Sequence, residues 1–188
     1  MKCSILILAI IFPIALTAQY DYGVSPEFPY GQANPKAPKQ IKDFEPMIGV
    51  CNCKSIVRKK DQSWGTPVNM TWTFKYIMNG MAIQDETIKE DGGHSGSIRQ
   101  FIADSSKWYV HYYSSKSPTT IFPVWEGNKK NEKIILYKDQ VAPNGTKGYY
   151  RLTFYDTSKT GYKWIGEWVD VTEKIIYPTW KISCDKIK

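Results

Sequence analysis

Several small groups of side chains in this 188-residue sequence could do chemistry. Asp85 and Glu86 precede Arg99, pairing carboxylates that could move protons with a guanidinium that could grip an anion. His111 stands between Tyr109 and Tyr113 at alternating spacing, where an imidazole could act as general acid or base. Arg151 could join Arg99 in holding a carboxylate through paired N–H groups. Tyr162, Trp164 and Trp168 recur at even spacing, a stacking platform for sugars or other rings if they share an exposed face. Each group also has a purely structural explanation: cross-strand ion pairs for the charges, a hydrogen-bonded histidine, a packed aromatic core. In a strand, adjacent residues point to opposite faces, so Asp85 and Glu86 cannot both serve one pocket.

The inventory also excludes classes. The only histidines are His94 and His111, and four cysteines (3, 51, 53 and 184) form no paired CxxC motifs, so a histidine-rich or zinc-ribbon metal site is excluded. No phosphate loop and no Ser-His-Asp arrangement is present, and no metal or cofactor is expected. Lys and Arg exceed Asp and Glu by 7, but the positive charge is dispersed over turns such as Lys59-Lys60 and Lys129-Lys130. Without a basic stripe, nucleic acid is not expected as a partner.

The elements that must position these residues read as β-structure. Residues 50–59, 68–78, 81–89, 97–103, 108–114, 121–126, 133–138, 149–155, 162–169 and 176–184 are rich in β-branched and aromatic residues and are separated by turn residues. Asn79-Gly80 between two such runs is a hairpin signal. Residues 41–47 could form one short helical turn before the first strand. No helical pattern is long enough to cross over between parallel strands, so the sheet is expected to be antiparallel and meandering, a barrel or a sandwich. The strand faces are mixed: aromatic and polar residues occur on both sides of 108–114 and 162–169. A simple sandwich would alternate more cleanly, whereas rings plus a few polar groups suit a ligand cavity.

Met1–Ala18 (MKCSILILAIIFPIALTA) reads as a secretory signal peptide: its apolar run, Ile5–Leu16, is too short for a membrane span and is followed by small residues and Gln19, with cleavage expected after Ala18. Residues 19–43 contain Pro26, Pro29, Pro35 and Pro38 with four aromatics, an extended lead-in expected to lie on the body; residues 44–188 form the main domain. Once the signal is removed, no membrane span remains. A secreted or periplasmic location follows, with an oxidising environment. Cys51 and Cys53 share a strand face, and either could meet Cys184 if the first and last strands are neighbours; Cys53–Cys184 is the preferred pairing.

The runs WTFKYIMNGMAIQDE (72–86), GSIRQFIADSSKWYVHYYS (96–114) and GEWVD (166–170) resemble a group of secreted bacterial proteins of unassigned function built as calycin-like, or lipocalin-like, β-barrels. The resemblance spans about residues 44–188. It implies an all-β, antiparallel up-and-down barrel of about ten strands with a central cavity and a small-molecule ligand. The chain departs from true lipocalins at the first strand, where Gly49 is followed by Val50 and Cys51 in place of Gly-x-Trp. It is also similar in outline to the haem-carrying barrels of the nitrobindin type, but no histidine follows His111 to serve as a late iron ligand.

The leading expectation is a non-catalytic secreted barrel that binds a small amphipathic or aromatic molecule through Trp72, Tyr76, Asp85, Arg99, Tyr109, His111, Tyr113, Arg151, Trp164 and Trp168. One alternative is a cavity enzyme of isomerase, cyclase or lyase type using His111 with Asp85 or Glu86 and Arg99. Another is a glycan or surface interaction module built on exposed Trp and Tyr.

Overall fold

Strands with alternating buried and exposed positions need a second surface to cover their apolar face, and a sheet can supply it by closing on itself. That is what the computed structural model of this chain, which describes residues 20–187, shows. Ten strands follow in order: β1 (Gly49–Val57), β2 (Val68–Ile77), β3 (Ala82–Lys89), β4 (His94–Ile102), β5 (Lys107–Ser114), β6 (Val124–Lys130), β7 (Lys133–Asp139), β8 (Gly148–Tyr155), β9 (Gly161–Asp170) and β10 (Ile176–Lys186). Each pairs antiparallel with its sequence neighbour, and β1 pairs with β10 to close the barrel. The expected all-β up-and-down barrel is therefore the observed one. The expected signal peptide lies outside the described residues. Among those residues, no helix is long and apolar enough to cross a membrane.

Closure is covalent as well as hydrogen-bonded. Cys53 lies directly opposite Cys184 in the β1–β10 register, whereas Cys51 faces Lys186. Register thus selects between the two candidate cysteines: Cys53 and Cys184 form the disulfide, and Cys51 is a buried free thiol.

One end of the barrel is plugged. A 3-10 helix (Lys39–Met47) inserts Ile41, Phe44 and Met47, and Phe44 meets Phe74, Trp108 and Phe154 with ring centroids 4.9–6.4 Å apart. Trp108 Nε1 donates to Asp43 Oδ2 (3.0 Å), tying the helix to β5. Ahead of the helix, the lead-in docks on the β2–β3 hairpin: the Tyr76 N–H donates to Tyr30 O (2.8 Å), and the Asn34 N–H donates to Gly80 O (3.1 Å). Gly80 has φ +77°, and a Cβ there would sit 2.3 Å from Gln32 O. The Asn-Gly signal therefore marks both a hairpin and a docking point. Its connection is longer than two residues, Met78–Met81, because Met78, Asn79 and Gly80 are all left-handed.

Two strands start three residues away from where the sequence reading sets them: β4 at His94 instead of 97, and β6 at Val124 instead of 121. Strand β6 begins after Pro123 and runs through Gly127–Lys130, which had read as a turn. The turn is Asn131-Glu132, both at positive φ. The two left-handed residues make a tight connection without any glycine, which is why composition pointed to the wrong place.

Candidate functional site

The strand loops 58–67, 90–93, 115–123, 140–147 and 171–175 surround the end opposite the plug. Beneath them lies a cavity of about 180 Å³. Four tryptophans line it: Trp72 from β2, Trp125 from β6, Trp164 from β9 and Trp180 from β10. Tyr112, Tyr150, Leu136, Leu152 and Phe154 complete most of the apolar wall. The rings pack edge to face, Trp164 against Trp180 at 5.2 Å and Tyr112 against Trp125 at 6.1 Å. Trp180 reaches the interior because it alternates with inward Ile182 and Cys184 along β10; the register shift lies on its other side, between Pro178 and Trp180. Its Nε1 then donates to Ser55 Oγ (2.8 Å). Gly166 gives room on the neighbouring strand: a Cβ there would meet Tyr150 Oη at 2.5 Å.

The polar lining is sparse and ordered. Asp85 and Arg99, 3% and 2% exposed, form a buried ion pair on β3 and β4. Trp72 Nε1 donates to Asp85 Oδ2 (2.6 Å), so the carboxylate is held from two sides. The Arg99 guanidinium sits between rings, 4.8 Å from the Phe74 centroid and 5.1 Å from that of Phe44. A buried charge without this company would be costly. Arg99 therefore links the cavity floor to the plug. Thr87, Ser95 and Ser97 rise from this floor towards the mouth, Thr87 Oγ1 lying 2.6 Å from Ser95 Oγ. Tyr162 stands near the same pair with its hydroxyl unpartnered. Burial first, then the neighbouring Cys51 thiol and Asp85 carboxylate, push it well above the usual tyrosine range. Burial likewise raises the Cys51 thiol.

Of the ten residues expected at the site, the barrel brings four to this cavity: Trp72, Asp85, Arg99 and Trp164. Tyr76 also points inward, but at the plugged end, where burial and the Glu45 carboxylate push its hydroxyl to about 12. Trp168 lies at the rim, its ring over Gly148 and its Nε1 donating to Gln140 O (3.1 Å). The other four need correction. Tyr109, His111 and Tyr113 stand on the outer face of β5, because Trp108, Val110 and Tyr112 take the inner one. Tyr113 Oη accepts from Gln84 Nε2 there (2.9 Å). Arg151 is also outside, opposite Glu167 in the β8–β9 register, where it donates to Glu167 Oε2 (2.9 Å) and pairs with Glu173. Trp164 inside and Trp168 at the rim do not form one outer platform.

Trp125, Trp180, Tyr112 and Tyr150 were missed. A signal for Tyr112 existed. Strands β4 and β5 join through a short turn that sets Arg99 opposite Val110. An inward Arg99 therefore requires inward Val110 and Tyr112, and an outward His111. Trp180 had one too: it lies four residues before Cys184 in an unbroken strand, so a cysteine facing its partner inside the barrel sets Trp180 on the same face.

Among the described residues no group of three His, Cys, Asp or Glu could hold a metal ion. No family model matches the chain, and no curated protein matches it. In fold the chain is similar to Rv2717c from M. tuberculosis, known from a crystal structure. The likeness has a TM-score of 0.53 at 8% identity and covers 81% of this chain and 100% of the other. It speaks to the barrel alone.

Proposed function

We propose that this barrel is a secreted, non-catalytic carrier of a small aromatic or amphipathic molecule, held in the tryptophan-lined cavity. The observation that carries the reading is the composition of that cavity. Four indoles and two phenols surround about 180 Å³, with the polar groups gathered at one side. Ligand sites have this character, a broad apolar wall with a few placed polar groups. The volume bounds the cargo: an apolar cavity of about 150 Å³ accepts benzene, so the enclosed part is about one ring or a short alkyl segment. Trp125 Nε1 is buried without an acceptor and supplies a donor that a ligand oxygen can satisfy. The Cys53–Cys184 disulfide fits an oxidising, extracytoplasmic location.

The enzyme alternative loses its intended base, since His111 is on the outer face, and Asp85 is already engaged by Arg99 and Trp72. Native mass spectrometry of the protein recovered from its own host tests the carrier reading. A bound mass that leaves on denaturing extraction is the expected result. A purely apo mass, together with no quenching of tryptophan fluorescence by small aromatic compounds, would overturn it. The same spectrum reads the start of the mature chain, expected at Gln19.

A further inference from the structure

The charges of the cavity are divided by depth. At the floor, the Arg99 charge is matched by Asp85, so the interior carries no free charge for a ligand. At the mouth the balance differs. Lys89 is the last residue of β3, on the same face as Asp85 and Thr87, and it lines the cavity. Its Nζ lies 4.6 Å from the Trp180 ring centroid. In the barrel order, β2 and β1 stand between β3 and β10, so the side chain reaches across two strands over the opening. Lys138, near the end of β7 and on the face of Ile134 and Leu136, places Nζ 4.7 Å from the Trp125 ring. Neither lysine has an ion-pair partner among the described residues. The nearby Asp91 is taken by Lys116 and by the Gly93 N–H.

We propose that the mouth is an anion subsite: the ligand is a small organic acid whose apolar or aromatic body fills the indole-lined interior and whose acidic group bonds to Lys89, with Lys138 adding positive charge. This rests on the carrier reading and specifies its cargo. The orientation follows from the charge division. A carboxylate at the floor would face the Asp85 carboxyl, already paired with Arg99, whereas at the mouth it meets Lys89, which has no ion-pair partner among the described residues, with Lys138 over the Trp125 ring. Lys89 is half-buried and its pKa is lowered, chiefly by that burial. A bound anion would offset the lost hydration with a charge-assisted hydrogen bond.

The test compares two ligands of one shape, 3-phenylpropanoate and 3-phenylpropan-1-ol, by quenching of tryptophan fluorescence on the mature protein. The acid should bind about tenfold tighter than the alcohol, equivalent to about 1.4 kcal/mol. Lys89→Met keeps the stem over Trp180 and should bring the acid down to the alcohol's affinity. Lys89→Arg should retain most of the preference, and Lys138→Met should lose a smaller part of it. Equal affinity of the wild-type protein for acid and alcohol would overturn the anion subsite and leave the carrier reading standing. So would a preference that survives in the doubly substituted Lys89→Met, Lys138→Met protein. If neither compound quenches and the native mass is apo, both readings fall together. Should Lys89→Met not fold, as judged by circular dichroism, the wild-type comparison decides alone.

Discussion

The two ends of the barrel use the same kinds of residue for opposite purposes. At the plugged end, Phe44, Phe74 and Trp108 are wholly buried and fill the interior. At the open end, Trp72, Trp125, Trp164 and Trp180 stand against the wall and leave space between them. The difference comes from what the chain inserts. A barrel of ten strands is wider than one of about eight, whose interior side chains just fill. The 3-10 helix supplies the missing volume at one end and nothing supplies it at the other. Aromatic content alone therefore does not mark a binding site. The plug decides which aromatics become core and which become lining, and Arg99, stacked on Phe44 while lining the cavity, ties the two halves together.

The largest effect should come from the seam that both halves share. Cys53 and Cys184 are 131 residues apart in sequence. Opening a link that closes so long a loop should cost about 3–5 kcal/mol in the chain-entropy view. Urea unfolding of the Cys53→Ala, Cys184→Ala protein reads this directly. A single transition with a lower midpoint would show that the halves melt together. Two separated transitions would show that the plugged half stands without the open one.

Phe44→Ala attacks the plugged half alone. It removes a wholly buried ring that touches three others and the Arg99 guanidinium. Losses of about 3–5 kcal/mol are typical for a phenylalanine truncated in a packed core. Ligand affinity should fall too, since Arg99 loses one of its supporting faces. Destabilisation under about 1 kcal/mol would mean that the helix is an accessory cover and that the contrast between the ends is overstated.

The contrast was half legible in the sequence. Ten strands and their antiparallel, meandering order follow from β-rich runs and turn residues, signals that are local, whereas closure into a barrel rested on the family resemblance and the mixed strand faces. Trp72, Asp85, Arg99 and Trp164 were likewise within reach, because each combines a ring or a charge with a central place in its strand, where an inward side chain meets the cavity. The failures share one cause. His111 and Arg151 were chosen for their chemistry, although hairpin register sets His111 on the face opposite Arg99, and Arg151 on the face opposite Trp164. Those choices contradict each other once pairing is worked out, so the correction was available from the turns. The depth of Tyr76 was not available. Nothing local says that residues 39–47 would fill one end and leave the other open, since that depends on the shape of the closed barrel.

Alkaline pH should separate the ends next. Free tyrosine titrates near 10, and Tyr76 in the plugged end near 12. A raised folded value means that the folded state favours the protonated phenol. This contribution, about 3 kcal/mol, is complete below pH 10 and is lost as pH rises from 10 through 12. Stability measured by urea at pH 9, 10.5 and 11.5 should therefore fall steeply, and Tyr76→Phe should flatten the decline. Absorbance at 295 nm should show the surface tyrosines ionising first and the buried ones only as the protein unfolds. A flat stability profile across that window would place Tyr76 in a looser setting than the plugged end described above.

The smallest effect is the most discriminating, because it asks the two halves the same question. Ile83 is wholly buried at the plugged end, and Leu152 lines the cavity. Replacing each with Phe adds similar volume. Overpacking a filled core costs about 1–3 kcal/mol, so Ile83→Phe should lower stability by that amount. Leu152→Phe extends into existing space and should leave stability unchanged or raise it by about 0.5–2 kcal/mol, the range of cavity filling. It should nevertheless weaken the binding of any ring-sized ligand by tenfold or more, since a phenyl group would occupy much of the roughly 180 Å³ interior. Thermal unfolding and fluorescence titration of the two variants give four readings, and the pattern matters more than any one of them. Equal destabilisation would mean that the open end is as tightly packed as the plugged one. A stable Leu152→Phe protein with unaltered affinity would put the ligand somewhere other than among the indoles.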